Sequence, residues 1–423
     1  MKPKKQNKDF LKNMMTLLSG SALAQIIPFL MLPVLQKWFY SPAQFGELAL
    51  YSSLTMLLAQ VAGVKYEFAI VKADTNTEAQ DVFVGTVVIS LVFTLIMSIA
   101  FLVFPVFTGK LFGVQEISSY FYLVPFSIFF FSNYEILNYW NNRKKKYKRI
   151  ASAKVVKTLG AETAKLGLGN SIYNANGLAV GRVVGEFFAY FLLAIKFIVH
   201  DLGKFHFSKP RAIILSLKKH YRFPLYTMPS VFVGNLINLV FIGLFTSYFG
   251  ASKAGIIGIS VVYVSVAFGL ISQSFSQVFY KELSDTKGKI ALLKLYLGNA
   301  KYLIVISALA VGFVQLIPSN WVATLLGDEW MDLMPTLKIL VFSYAISFIT
   351  SSLSFIYMRV NKQKQMLIYD IIHLVMVTAS IYIGFHYFGT FRATLISYTI
   401  AQIIYYSFAF SIAIVFIKNM EEE

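Results

Sequence analysis

The sequence contains no cysteine, which excludes disulfide bonds, thiolate metal sites and cysteine nucleophiles. Its five histidines have no neighbouring carboxylates at ligand spacing, so no metal site is predicted. A glycine-rich phosphate loop is also absent, which argues against an ATP-driven motor in this chain. Charged residues make up only 14% of the chain, whereas soluble proteins carry about 25%. The absences therefore point away from a soluble metal, redox or ATP-dependent enzyme.

Apolar residues dominate instead, at 57% of 423 residues, and a helix needs about 20 of them to cross a bilayer. Ten uninterrupted apolar runs are long enough to do so. Two more helices are predicted at 150–169 and 177–199, where charged residues interrupt the apolar sequence. The runs lack the period-2 alternation of barrel strands, so the sequence predicts an all-α integral membrane protein with about twelve transmembrane helices. The apolar run after the basic N-terminus can span the membrane and lacks a clear cleavage site, so we expect no cleavable signal. Ten runs free of acidic and basic residues are long enough: 13–36, 48–64, 82–109, 117–134, 223–252, 254–280, 302–327, 339–358, 371–391 and 393–417.

Basic residues are distributed unequally between alternate loops. Twenty-seven lysines and arginines, Lys65 among them, fall in one set, and five fall in the other: Lys37, Lys110, Lys253, Lys338 and Arg392. The positive-inside rule therefore predicts that both termini are cytoplasmic. The net charge of +18 and the run RKKKYKR at 143–149 are explained by this topology, with attraction to anionic lipid as the alternative. No nucleic-acid partner is predicted.

The two halves of the chain resemble each other weakly. WFYSPAQFGELAL at 38–50 corresponds to SYFGASKAGIIGI at 247–259, with Gly46 opposite Gly255. This pattern predicts parallel repeats. We expect an N-terminal six-helix bundle at 1–200, a cytoplasmic linker at 201–222 and a C-terminal six-helix bundle at 223–423. The linker should contain a short amphipathic segment with Ile213, Ile214 and Leu217 packed inward.

The fifth predicted helix has one charged face. With Lys154 set at 0°, a rotation of about 100° per residue places Lys157 near 300°, Lys165 near 20° and Glu162 near 80°. Two interpretations stay open: local pairing of Glu162 with Lys165, or a cationic cavity face that binds an anionic substrate. Three lysines against one glutamate leave two charges unbalanced. The sequence therefore makes Lys154, Lys157 and Lys165 candidate substrate-binding residues.

The sixth predicted helix adds Arg182 and Glu186, spaced to pair with each other. Alternatively, the Arg182 guanidinium faces the same cavity and binds a phosphate. Elsewhere, Asp370 and His373 are spaced for a proton-linked pair or an ordinary boundary contact. Residues that could bend a helix occur early in each half of the chain. They could form a moving gate or, alternatively, a static kink. They are Gln25, Pro28, Pro33, Pro224 and Pro229.

Three stretches resemble a known family. They are NMMTLLSGSALAQIIPFLMLPVLQKWFYSPAQFGELALYSSL with the following VKYEFAIVKADTNTEAQDVF, the segment at 220–283, and GDEWMDLMPTLKILV at 327–341. Together the matches span essentially the whole chain and resemble Wzx-type repeat-unit flippases for O-antigen-type polysaccharides, of the superfamily that includes multidrug antiporters and the lipid II flippase. The resemblance implies two six-helix bundles around a central cavity, in the bacterial cytoplasmic (inner) membrane.

The resemblance also implies a cargo, an oligosaccharide unit on undecaprenyl pyrophosphate that moves to the outer leaflet by alternating access. Membrane lipids and other polysaccharide assembly proteins are the expected partners, and no cofactor is expected. An H+ or Na+ gradient is a candidate energy source, with Glu162, Glu186, Asp370 and His373 as candidate coupling groups. The alternatives are a cation-coupled multidrug-type antiporter and a membrane sugar polymerase or transferase. Short outward loops argue against an enzyme.

Overall fold

The computed structural model describes residues 3–111, 119–171, 174–360 and 363–420, and no strand occurs in those ranges. The predicted all-α class is therefore confirmed. The long helices of the first half are α1 Pro3–Trp38, α2 Pro42–Val61, α3 Asn76–Val103, α4 Val124–Arg143, α5 Tyr147–Gly169 and α6 Asn174–His200. In the second half, Met228–Asp285 contains α7 and α8, followed by α9 Lys289–Leu316, α10 Leu333–Ser352, α11 Gln363–Ile383 and α12 Phe391–Lys418.

Shorter helical segments connect these twelve. They are Glu67–Lys72, Pro105–Leu111, Ser119–Leu123, Leu202–Lys204, Pro210–Lys219, Phe223–Thr227, Trp321–Leu326, Asp328–Trp330, Ile356–Arg359 and Gly384–Phe388. Among the described residues, eight stretches are long and apolar enough to cross a membrane, and one of them, Phe223–Ser272, includes most of both α7 and α8. Helix α5 is not among the eight, because charged residues interrupt its apolar sequence.

Local sequence explains where several helices begin and end. Thr75 accepts a hydrogen bond from the Glu78 backbone N–H and caps α3, and Thr390 caps α12 in the same way. Such caps satisfy backbone donors that have no partner inside the helix. Gly250 has φ 82° and separates α7 from α8. Glycine is suited to this position because a side chain disfavours positive φ.

Contacts divide the chain into two units. The first comprises Met1–Tyr40 and Glu47–Leu239, and the second comprises Ser41–Gly46 and Val240–Glu423. The first turn of α2 thus packs with the second unit, although the remainder of α2 belongs to the first. The predicted domain limits at residues 200 and 222 stay a prediction.

Aromatic side chains form much of the core of the first unit near one end. Trp140 of α4 is 1% exposed and lies 5.3 Å from Phe83 of α3, measured between ring centroids. Phe197 of α6 and Phe205 of the following segment complete the cluster, at 6.0 and 5.4 Å from Trp140. Large buried rings contribute strongly to packing because each buries about 150–250 Å². The cluster therefore fixes α3, α4 and α6 to one another.

The second unit has a separate core built from α8 to α12. Phe268 of α8 packs against Phe348 of α10 with 5.0 Å between ring centroids. Tyr296 of α9 stacks on Phe410 of α12 at 5.2 Å and donates a hydrogen bond to its backbone carbonyl. The hydroxyl is satisfied inside the core, as a buried polar group requires.

The two glycines aligned by the internal repeat lie against each other within the second unit. A Cβ placed on Gly255 would lie 1.8 Å from the Pro42 carbonyl oxygen and 2.7 Å from the Gly46 nitrogen. A Cβ on Gly46 would lie 1.9 Å from the Ala251 carbonyl oxygen. Small residues allow helix backbones to approach closely in membranes. The repeated glycine is therefore explained by contact between the two copies of the motif.

We expect Gly46→Ala and Gly255→Ala each to destabilise the protein by about 1–3 kcal/mol, since added methyl groups have no space there. Thermal unfolding of the purified protein in detergent measures the effect. Gly243→Ala in α7 is the matched control, because nothing lies within 4 Å of its added Cβ. Equal melting temperatures for all three variants would contradict the packing argument.

The amphipathic helix expected in the linker is present as Pro210–Lys219. Leu217 packs inward, and its Cδ1 would lie only 2.8 Å from a Cβ on Gly85 of α3. Ser216 donates a hydrogen bond of 3.1 Å to Asp81. The prediction that Ile214 packs inward is wrong: its side chain is 53% exposed. Only one narrow side of the helix Pro210–Lys219 contacts α3, and Ile214 does not lie on that side.

Ion pairs secure the end of this linker. Lys219 bridges Asp74 and Glu78 at 2.8 and 2.9 Å, and His220 lies 2.7 Å from Glu78. The hydrogen bond from Lys219 lowers the pKa of Asp74 and raises that of Lys219. Burial acts to raise the pKa of Glu78, but the hydrogen bonds from Lys219 and His220 outweigh it and the pKa is lowered. The stability that the two ionised carboxylates give to the folded protein is complete above their ordinary pKa values of 3.8 and 4.5. It is lost as the pH falls through the lowered pKa values of the folded state.

Candidate functional site

Helix α5 crosses the first unit against α6 with unusually close backbone contact. A Cβ on Gly185 of α6 would lie 2.4 Å from the Lys157 carbonyl oxygen. A Cβ on Gly181, one turn earlier, would lie 2.5 Å from Lys165 Cγ. These α6 glycines make closer contacts between the two helices than the α5 glycines do, and Gly167 has open space around it. The glycine spacing of α6 therefore sets the position of the charged face of α5.

Two of the four predicted cations form ion pairs. Lys165 Nζ lies 2.7 Å from Glu162 Oε1, and Arg182 Nε lies 3.0 Å from Glu186 Oε1. Both glutamates are buried, Glu186 to 1% exposure. The other oxygen of Glu186 accepts a 2.7 Å hydrogen bond from Ser127, whose hydroxyl is 2.7 Å from that of Tyr51. Arg182 is thus part of a four-residue network joining α2, α4 and α6.

The other two cations, Lys154 and Lys157, make their direct contacts with neutral groups. Lys154 Nζ donates a 2.9 Å hydrogen bond to Ser21 of α1. Lys157 Nζ lies 4.5 Å from the ring centroid of Phe131 and 5.3 Å from that of Tyr134. Within the described ranges, no carboxylate oxygen comes within 4.0 Å of either amine.

The energetic cost of a charged Lys157 inside a membrane protein can be compared with the gain from its aromatic contacts. A charged side chain at the centre of a membrane helix costs about 2.5–3.5 kcal/mol by insertion scales. Contact with aromatic faces returns about 0.5–2 kcal/mol. The rings alone therefore do not offset the cost of an ionised Lys157. A site of this kind favours an additional anion near the amine.

Sequence reasoning missed a third ion pair, and both of its members are buried. Lys65 and Glu67 are 4% and 5% exposed and lie 3.1 Å apart, and Lys65 also donates to Gln60 at 2.5 Å. Lys65 lies in the turn at 62–66, as its assignment to a loop expects, but its burial was not predicted. Val64 and Lys65 have φ of 51° and 61°, a conformation costly for side-chain-bearing residues. The available signal was a glutamate inside the apolar stretch VKYEFAIV.

Glu135 of α4 adds a further negative charge. It interacts electrostatically with Lys157 and Lys154 and with the pair of Lys65 and Glu67. With Glu67, Glu135, Glu162 and Glu186 counted against Lys65, Lys154, Lys157, Lys165 and Arg182, the interior cluster has one excess positive charge. The sequence predicted an excess of two on α5 alone. We call these nine residues the polar cluster of the first unit.

The remaining predicted residues are not members of the polar cluster. Gln25, Pro28 and Pro33 lie inside α1, which remains helical through both prolines. Pro224 and Pro229 lie at the start of the segment that leads into α7. His373 Nε2 is 2.7 Å from Gln402 Oε1, and its ring stacks on Tyr405 at 3.8 Å. Asp370 interacts electrostatically with Tyr405. The roles predicted for these residues stay predictions.

Comparison with known proteins places this geometry in context. The model of a family described as polysaccharide biosynthesis protein matches residues 38–335. A comparison with curated protein sequences finds no match.

Solved structures show the same fold at low sequence identity. An inward-facing multidrug resistance MATE family transporter of the MOP superfamily has a TM-score of 0.74 at 17% identity, covering 96% of this chain and 95% of that one. The lipid II flippase MurJ in an inward closed conformation has a TM-score of 0.75 at 15% identity, covering 94% and 87%.

A third structure, from Pyrococcus furiosus Vc1, is described as a MOP superfamily transporter whose reverse polarity of the binding pocket suggests a different function. Its TM-score is 0.60 at 16% identity, with 97% of both chains covered. Together, these matches confirm the predicted resemblance and the fold of two helical bundles.

Proposed function

Because the chain belongs to the polysaccharide biosynthesis protein family, we propose that it is a flippase for undecaprenyl-pyrophosphate-linked oligosaccharide units. It moves them from the inner to the outer leaflet of the cytoplasmic membrane by alternating access. The fold shared with transporters and a lipid flippase supports a transport function. The product enters the synthesis of a surface polysaccharide of the O-antigen or lipopolysaccharide type.

The observation that carries this proposal is the environment of Lys157. Its amine lies in the interior of the first unit beside two aromatic rings, and no described carboxylate oxygen is within 4.0 Å. The pyrophosphate of the cargo would place an anion in direct contact with this amine, whereas Glu135 and Glu186 act on it only from beyond 4.0 Å. Lys154 contributes a second amine on the same face, while Lys165 and Arg182 contribute through their ion pairs. Several moderate contacts suit a carrier, since the cargo has to be released.

Energy coupling belongs to the same proposal. An H+ or Na+ gradient drives the cycle, with Glu162, Glu186, Asp370 and His373 as candidate groups. Glu135 joins them, because a proton on its carboxylate would raise the excess positive charge beside Lys157. No other cofactor is required, and the protein is a transporter and not an enzyme. Both termini face the cytoplasm, and other polysaccharide assembly proteins are its partners.

Two other functions compete with this one. A cation-coupled multidrug-type antiporter is consistent with the fold, but an excess of positive charge disfavours cationic drugs. A sugar polymerase or transferase would need acidic groups in a large external loop, and the outward loops are short.

The test uses the full-length protein in lipid vesicles that contain an undecaprenyl-pyrophosphate-linked oligosaccharide. Accessibility of the glycan to an external lectin reports translocation, which we expect to be at least tenfold faster than in protein-free vesicles. Uptake of a cationic dye by the same vesicles detects antiport, and an increase in glycan length detects polymerisation. Translocation at the protein-free rate, with either of these activities present, would overturn the flippase proposal.

A further inference from the structure

A groove in the second unit lies far along the chain from the polar cluster and is bordered by α9, α10 and α12. It has a volume of about 670 Å³. Lys338 of α10 and Arg392 of α12 line it at the end of the unit that the sequence predicts to face outward. Basic residues are rare on that side, so topology does not explain why two of the five converge there.

Both cations lack an acidic partner. In the part of the chain that the structure describes, no carboxylate oxygen lies within 4.0 Å of either side chain. By contrast, Lys253 on the same side forms an ion pair with Asp332. An ammonium and a guanidinium together bind a phosphate well, and the guanidinium can donate two parallel hydrogen bonds.

The groove continues along α12 as an apolar wall. Ile396, Ile400 and Ile403 line it, with Phe342 of α10 on the other side. From Arg392 to Ile403, eleven residues at a rise of about 1.5 Å span roughly 16 Å. This length equals half of a hydrocarbon core of about 30 Å. The wall therefore matches the depth of one leaflet and the length of an acyl chain within it.

Thr399 also contributes to the wall, but its hydroxyl is buried and is not exposed to the groove. The groove therefore offers a bound lipid two cations at one end and apolar side chains along one leaflet.

We propose that this groove binds one anionic phospholipid, with its phosphate at Lys338 and Arg392 and an acyl chain along Ile396, Ile400 and Ile403. The lipid connects α9, α10 and α12 at the membrane surface. The site uses none of the residues of the proposed cargo site and does not depend on the transported molecule.

Native mass spectrometry of the full-length protein, in micelles supplemented with phosphatidylglycerol, tests the proposal. We expect one tightly retained lipid in the wild type. Retention should fall at least fivefold in the double variant K338A/R392A, which lacks the phosphate ligands. Ile400→Trp should reduce retention by filling the groove. Ile404→Trp is its matched control, since Ile404 is similarly exposed on α12 but does not line the groove.

Phosphatidylcholine and a polyprenyl phosphate serve as comparison lipids. Retention of phosphatidylglycerol that depends on the lining residues, without equal retention of phosphatidylcholine, supports the proposal. Retention of the polyprenyl phosphate alone, or an equal loss in I404W and I400W, overturns it. If I400W does not fold, K338A/R392A still decides the result, because neither Lys338 nor Arg392 is buried.

Discussion

Replacing Lys157 with methionine should reduce oligosaccharide translocation at least tenfold, whereas Lys157→Arg should retain most of the activity. Methionine preserves the apolar stem beside Phe131 and Tyr134 but removes the positive charge. Tenfold corresponds to about 1.4 kcal/mol, a small loss for one charge–pyrophosphate contact in an environment of weak screening. The lectin-accessibility assay in vesicles measures the rate.

The control for this experiment removes a lysine whose charge is already paired. In the double variant E162Q/K165M, one ion pair disappears and the net charge of the polar cluster does not change. We expect its translocation rate to fall less than that of Lys157→Met, provided both proteins fold equally well. If the two variants lose activity equally, charge near Lys157 is not what binds the cargo.

Replacing Glu186 with alanine should lower the stability of the protein by about 3–5 kcal/mol, because removal of one partner leaves a buried charge uncompensated. Arg182 would lose its carboxylate, and the Ser127 hydroxyl would lose its acceptor. In a protein of 423 residues we expect a fall of roughly 3–6 °C in melting temperature. Thermal unfolding in detergent gives the value directly.

Two further variants separate charge from packing at this position. Glu186→Gln keeps the shape and should destabilise less than Glu186→Ala. In R182M/E186L both charges are removed together, and Ser127 still bonds to Tyr51 at 2.7 Å. We expect this double variant to be more stable than Glu186→Ala. A double variant that is less stable would show that the network acts through packing and not through charge.

Much of the architecture was predictable because crossing a membrane imposes a simple length requirement. The charged helix predicted at 150–169 is found at Tyr147–Gly169, and the one predicted at 177–199 is found at Asn174–His200. Spacing along one helix likewise predicted local contacts: Glu162 pairs with Lys165, and Arg182 with Glu186. These pairs depend only on the 3.6-residue repeat.

Contacts between distant segments were not predictable in the same way. Lys65 lies in a loop as predicted, but nothing in the sequence indicated that a left-handed turn buries it beside Glu67. The repeat aligned Gly46 with Gly255, but nothing in the alignment indicated that the two backbones touch. Ile214 and Leu217 both fit an amphipathic helix, and only docking on α3 shows which one packs inward.

The sequence by itself determined that this chain is an all-α membrane protein. Its long apolar runs alternate with loops that are rich or poor in basic residues, and insertion into lipid depends on such composition and length. Family membership was likewise contained in short motifs. The tertiary structure decided what surrounds the cations that have no ion pair. Lys157 lies beside Phe131 and Tyr134 because of the way α4 and α5 pack, and Gly181 and Gly185 bring α6 against α5. The spacing of residues along α5 does not contain that environment, because it depends on neighbouring helices.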